Sequence, residues 1–209
     1  MIEYVLPGEI EKRSFEIIGE ELSARGIVLP PEQEAVTKRV IHTSADFDYA
    51  GTMIYSENAV EIAKKLILEG ADIVTDTNMA LAGINKKTLA KYGGQVHCFM
   101  ADETVAAEAG RRAVTRATVS MERAAKIEKP VIFAVGNAPT ALIRLHEMME
   151  EGSFRPAFVI GVPVGFVNVE AAKELIIASD VPYIVNRGRK GGSNVAAAIC
   201  NALLYELGR

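Results

Sequence analysis

The chain has 209 residues, with 23 Lys and Arg against 27 Asp and Glu for a formal charge of −4, and it is 49% hydrophobic and 6% aromatic. That length suits one domain with a sizeable core, while the near-balanced charge lacks the dense basic surface that nucleic acid or an anionic bilayer requires. Cys98 and Cys200 lie in apolar stretches without metal-ligand spacing, so a disulfide scaffold and a zinc finger are unsupported and a reducing compartment is expected.

The amino end has no basic start followed by an apolar run, and no apolar stretch approaches the ~20 residues that span a bilayer, so the chain reads as cytoplasmic. Residues 8–25 carry Ile10, Ile17, Ile18 and Leu22 at helical spacing, and a second helix is expected from about residue 31 to 45. This helical arm of roughly 70 residues precedes the sheet. Another helix carries Ala59, Ala63, Leu66 and Ile67 on one face and ends near Gly70. Five runs then read as strands, at 72–76, 95–100, 131–135, 157–162 and 182–185. Most are continuously apolar, as strands covered on both faces must be. Helices fill the intervals, one with Ala138, Ala141, Leu142, Leu145 and Met148 on a face, and a last one with Val195, Ala198, Ile199, Ala202 and Leu203. Alternating strands and helices predict a three-layer α/β/α sheet, mostly parallel and five-stranded, in one domain covering residues 1–209.

Ligands of open parallel sheets bind beyond the carboxyl ends of the strands, so those loops carry the functional expectations. After the third strand, Asn137 is placed as a helix N-cap with Pro139 in the first turn. The loop 161–167 is apolar and punctuated by glycine. The run Asn186-Arg187-Gly188-Arg189-Lys190-Gly191-Gly192-Ser193 leads into a helix, and its three cations with free amides suggest an anion site. No Walker A pattern or complete G-x-G-x-x-G accompanies it, so a carboxylate is as good an anion as a nucleotide.

Of three histidines, His97 in a strand and His146 on an amphipathic helix are read as packing positions. His42 differs, because Arg39 lies three residues earlier and shares its helix face. An imidazole titrates near neutral pH and can donate or accept a proton at a reacting centre. His42 with Asp46 and Asp48 could also be read as metal ligands for a hydrolase, but the set lacks a second histidine or an H-x-x-x-H pair. Arg116 and Ser14 stand out by no spacing of their own.

Seven ordered segments together carry a resemblance. They are I-E at Ile10 with F-E at Phe15, R-V-I-H-T-S-A-D from Arg39, T-D-T-N-M from Thr75, T-R at Thr115, G-N-A-P-T-A-L from Gly136, G-V-P-V-G-F-V from Gly161 and G-R-K-G-G-S from Gly188. The chain resembles the precorrin-8X or cobalt-precorrin-8 methylmutase family of corrin biosynthesis. The resemblance implies a flavodoxin-like fold, a homodimer, a corrinoid tetrapyrrole substrate and an isomerase that moves a methyl group from C11 to C12 of the macrocycle. It implies no cofactor and no redox partner. It makes His42 the proton donor or acceptor and Ser14 and Arg39 substrate contacts. Beside the resemblance, a guanidinium's fit to carboxylates places Arg116 at the substrate, with Asn137 a further expected contact and Met79 expected over a ring face. A non-catalytic tetrapyrrole carrier would use the same pocket without turnover. Two departures fall in later loops, where the family's T-R-S-A is Thr115-Arg116-Ala117-Thr118 and its E-S-K-E is Ala171-Ala172-Lys173-Glu174.

Overall fold

The apolar runs become the interior of one sheet because each of their residues meets a helix on one face or the other. A computed structural model describes residues 4–208. A 3₁₀ turn at Pro7–Glu9 leads into α1 (Ile10–Ala24), α2 (Pro31–Ser44) and the short α3 (Tyr49–Thr52). The chain continues through β1 (Met53–Tyr55), α4 (Ala59–Leu68), β2 (Asp72–Thr75), α5 (Asn78–Gly83), α6 (Lys86–Ala90) and β3 (Val96–His97). It goes on through α7 (Glu103–Arg112), α8 (Arg116–Ala124), β4 (Val131–Val135), α9 (Pro139–Glu150), β5 (Phe158–Gly161), α10 (Val169–Ile177), β6 (Tyr183–Asn186) and α11 (Ser193–Leu207).

The strand order is β1-β6-β5-β4-β2-β3, parallel throughout except for β1, which runs antiparallel to β6. The five parallel strands, numbered among themselves, follow the 2-1-3-4-5 order of flavodoxin-like sheets. The sheet therefore has six strands rather than five, and it begins at Met53 rather than at residue 72. The added strand is only Met53-Ile54-Tyr55, paired with Asn186, Val185 and Ile184. Three residues are too few for an alternating pattern to announce a strand.

Side chains alternate across β4 and divide the core in two. Ile132 and Ala134 pack with β5's Phe158 and Ile160 and with α2, α4 and α11. Val131, Phe133 and Val135 pack on the opposite face with α8, α9 and α10. The helical arm lies outside the first of these layers, where Ile18 and Leu22 of α1 join Val36, Val40 and Ile41 of α2. The strand order reverses between β2 and β4, which makes the carboxyl ends of those two strands the topological switch point of the sheet.

Candidate functional site

Two features end α2: Ala45 takes a left-handed conformation at φ 53°, and its N–H donates to the Ile41 carbonyl. The last turn leaves His42 exposed, with its ring stacked on Phe15 of α1 at 5.4 Å between centroids and an interplanar angle of 23°. One turn earlier, the Arg39 guanidinium lies 4.7 Å from the Phe15 ring centroid and 5.2 Å from that of Tyr205, and it is ion-paired with Glu11. Its delocalised, weakly hydrated plane suits this aromatic clamp better than an ammonium would.

Glu11, Arg39, His42, Asn194, Asn201 and Tyr205 line a cleft of about 310 Å³ between α2 and α11. A second cleft of about 500 Å³ lies on the other side of Arg39, where Phe15, Lys38, Tyr205 and Glu206 line it. The two linings show that α2 and α11 run antiparallel, with the His42 end of α2 beside the amino end of α11. Because α11 follows β6, His42 stands at the carboxyl-end rim of the sheet.

At this switch point, Asp76 follows β2 and is only 1% exposed. Its carboxylate accepts N–H bonds from Gly136 at 2.8 Å, Asn137 at 2.8 Å and Ala138 at 2.6 Å. Burial pushes this carboxyl above the usual carboxylate range, and the three amides pull against that shift. Asp76 thus supplies the negative group at the start of α9. Asn137 is consequently not the N-cap: Ala138 holds that position without a side-chain cap, and Pro139 opens the helix as its fixed φ favours. Asn137 is exposed at the rim. No sequence pattern singled out Asp76, since its partners lie 60 to 62 residues away.

The basic loop after β6 differs from the expectation of an anion site. Arg187 pairs with Glu174 at 2.7 Å, Arg189 with Glu170 at 2.7 Å, and Lys190 with Asp46 at 2.5 Å and Asp48 at 2.6 Å. Each cation already faces an internal carboxylate, so the loop presents no unmatched positive cluster. The same pairs engage Asp46 and Asp48, which converge on an ammonium rather than on His42 as a metal set would. The loop itself is held tightly against its neighbours. A Cβ at Gly191 would lie 2.0 Å from the Val162 carbonyl oxygen, and one at Gly136 would lie 2.7 Å from that of Gly192, so neither position accepts a side chain.

Lys173 of α10 is fully buried, and its Nζ donates to the carbonyls of Gly188 at 2.6 Å and Lys190 at 2.8 Å. Burial pulls its pKa down to about 8. This lysine matches the K of the family's E-S-K-E, whose first two positions depart here, and it drew no functional expectation.

The other expected residues are spread around the same rim and arm. Arg116 is exposed at the first position of α8, where Thr115 caps the helix by accepting from the Thr118 N–H and also donates to Thr140 Oγ1 at 3.0 Å. That bond ties the start of α8 to the start of α9, and so Arg116 to the neighbourhood of Asn137. Met79 is 71% exposed in the first turn of α5, and Phe166 and Val167 in the loop after β5 are 82% and 77% exposed. Ser14 is half-buried on α1 and donates to the Ile10 carbonyl at 2.9 Å; it lines neither cleft beside Arg39. His97 pairs with Asp72 at 2.8 Å, within the fold as expected of a packing residue.

Comparison with known proteins adds an independent line. The family model described as precorrin-8X methylmutase matches residues 9–206. A cobalt-precorrin-8 methylmutase of Salmonella typhimurium is 44% identical over 207 residues, covering 96% of each chain. A precorrin-8X methylmutase of Pseudomonas aeruginosa is 35% identical and covers 99% of each. The crystal structure of a precorrin-8x methyl mutase from Thermus thermophilus superposes with a TM-score of 0.85 at 38% identity, covering 94% of this chain and 96% of that one.

Proposed function

The chain belongs to the precorrin-8X methylmutase family, and from that membership we propose that it isomerises a corrin precursor by moving a methyl group from C11 to C12 of the macrocycle during cobalamin biosynthesis. The observation that carries the assignment of roles is the shared cleft of Arg39 and His42 against the amino end of α11, at the carboxyl rim of the sheet.

Such a shift is intramolecular. The C11–methyl bond breaks as the C12–methyl bond forms, the mass is unchanged, and neither an electron donor nor a methyl donor is consumed. What the protein must supply is electron demand in the conjugated ring and a fixed orientation. His42 supplies the first by donating a proton or hydrogen bond to the macrocycle. Its exposed ring, braced by stacking on Phe15 of α1, can meet a ligand without moving the backbone. Arg39, pre-oriented by two aromatic rings, addresses a substrate carboxylate with a rigid fork of donors. Arg116 and Asn137 address others from the α8 and α9 starts, Ser14 contributes from the arm, and Met79 covers a ring face. The outward-facing Phe166 and Val167 support an apolar seat for a broad planar ring.

We propose also that the chain acts as one domain, as a homodimer and in the cytoplasm. The family match over residues 9–206 supports the first. Leu6, Ile10 and Ile17, exposed along the arm, support a partner subunit. Among the described residues no helix is long and apolar enough to cross a membrane.

The test is turnover of the purified protein with its ring substrate, followed by absorption spectrum and mass. His42→Ala is expected to retain ring binding and lose about 10²- to 10⁴-fold in rate, the range typical of a removed acid–base group. Unchanged turnover in that variant would remove His42 from the mechanism. Binding by the unaltered protein with no spectral conversion would instead identify a carrier.

A further inference from the structure

Resting on the assignment of His42 as the proton-handling group, we infer that Lys173 is a positioning residue for that imidazole, acting through the β6–α11 loop and the side chain of Lys190. The path consists of polar contacts joined through the covalent chain at Lys190, at Asp46 and within the last turn of α2. Lys173 Nζ donates to the Gly188 and Lys190 carbonyls at 2.6 and 2.8 Å. Asn186 Nδ2 donates to the same Lys190 carbonyl at 2.9 Å, and Asn186 Oδ1 accepts from Thr52 Oγ1 at 2.6 Å. With its carbonyl drawn inward, Lys190 sends its ammonium outward to Asp46 and Asp48 at 2.5 and 2.6 Å. The Asp46 N–H donates to Ser44 Oγ at 3.3 Å, and Ser44 Oγ donates to the Val40 carbonyl at 2.7 Å, inside the last turn of α2 that carries His42.

The chemistry of Lys173 favours this role over simple packing. A fully buried ammonium carries a large desolvation penalty, and among the described residues its hydrogen bonds go to two carbonyls, with the Glu170 carboxylate acting on it only through space. An apolar side chain of similar length would fill the same space without that penalty, so burial alone gives no reason for a lysine here. What an apolar residue cannot do is hold two carbonyls of a tight loop in one direction. That loop runs directly into α11, whose Asn194 and Ala197 form the cleft wall facing His42. One ammonium therefore sets both walls: α11 through the loop backbone, and the end of α2 through Lys190. Errors of about 1 Å in such placement can cost about 10²-fold in rate.

The experiment uses the full chain carrying Lys173→Met, and separately Lys190→Met, whose exposed position keeps the test available should the buried substitution prevent folding. Two readouts are taken: the steady-state constants for methyl migration, and the ring carbon–proton NMR signals of the three histidines, with that of His42 identified by its loss in His42→Ala. Each variant is expected to lower kcat by about 10- to 100-fold with a smaller change in KM, and to shift the His42 signal while those of His97 and His146 stay in place. The double variant is expected to go no further than the stronger single one. A His42 signal and a kcat that are unmoved in the variants that fold would overturn the inference. Activity retained in His42→Ala would overturn the assignment it rests on, whatever the two lysine variants do to the signal.

Discussion

Arg39 and His42 share a face of α2 by their spacing alone, yet tertiary structure gives them different surroundings. Arg39 contacts both Phe15 and Tyr205 with Glu11 as its counter-ion, and His42 stacks on the same Phe15 and stays exposed. The pairing was legible because three residues of separation fix a common helix face. The aromatic clamp was not, because Tyr205 lies 166 residues further along a different helix. Arg39→Lys keeps the charge and loses the plane, so KM is expected to rise by about tenfold, equivalent to about 1.4 kcal/mol of binding, with kcat changing less. Steady-state kinetics checks this; a fall in kcat alone would mean that Arg39 acts in the chemical step rather than in holding the ring. Asp46, Asp48 and Lys190 carried the opposite lesson. Read singly they suggested a metal set and an anion site, and folding turned them on one another.

Among elements, the strands covered on both faces declared themselves through unbroken apolar runs, whereas β1 is an edge strand of three residues and had no run to show. The start of α9 was also visible through Pro139, but the group that satisfies its amides was misassigned. An asparagine beside a helix start is the local solution, and here a carboxylate from the neighbouring strand's loop provides a non-local one. Asp76→Asn replaces an anion facing three N–H groups with an amide that has one oxygen to offer. A loss of about 2 to 4 kcal/mol is expected, since charged acceptors are worth more than neutral ones and a buried unmatched N–H costs further. The urea midpoint measures it, and a loss within experimental scatter would show that the amides find other partners. Between helices, Glu122 of α8 receives Arg112 of α7 and Arg144 of α9. The hydrogen bond from Arg112, then the charges of both arginines, hold its carboxyl below the ordinary value of 4.5 against the opposing effect of burial. A lowered folded pKa means that the pair's contribution is complete above the unfolded value and is lost as pH falls through the folded one. Thermal midpoints should therefore be flat from neutrality down to about pH 5 and fall below about 4.5, with a shallower fall in Glu122→Gln. Equal slopes in the two proteins would show that other carboxylates govern the acid limb.

For the whole molecule, the alternation of strands and helices was enough to predict layers and parallel pairing, because a crossover helix between parallel strands has one favoured hand. Strand order required the coordinates, since hydrophobic patterning is blind to which strand lies beside which. The order matters to function: reversal between β2 and β4 sets the switch point where the Asp76 carboxylate binds the amides of the Asn137 loop, and the antiparallel meeting of α2 with α11 brings an amino-terminal histidine to the same rim. Residues of α1, the end of α2 and α11 thus line one cleft, the region where the proposed function puts the macrocycle. The most direct measurement follows a ring substrate carrying ¹³C in its C11 methyl group through a single turnover. The account predicts that the unaltered protein delivers the label to C12 without dilution, and that His42→Ala binds the ring but leaves the label at C11. Migration in His42→Ala at the original rate, or label lost from the product, would contradict it.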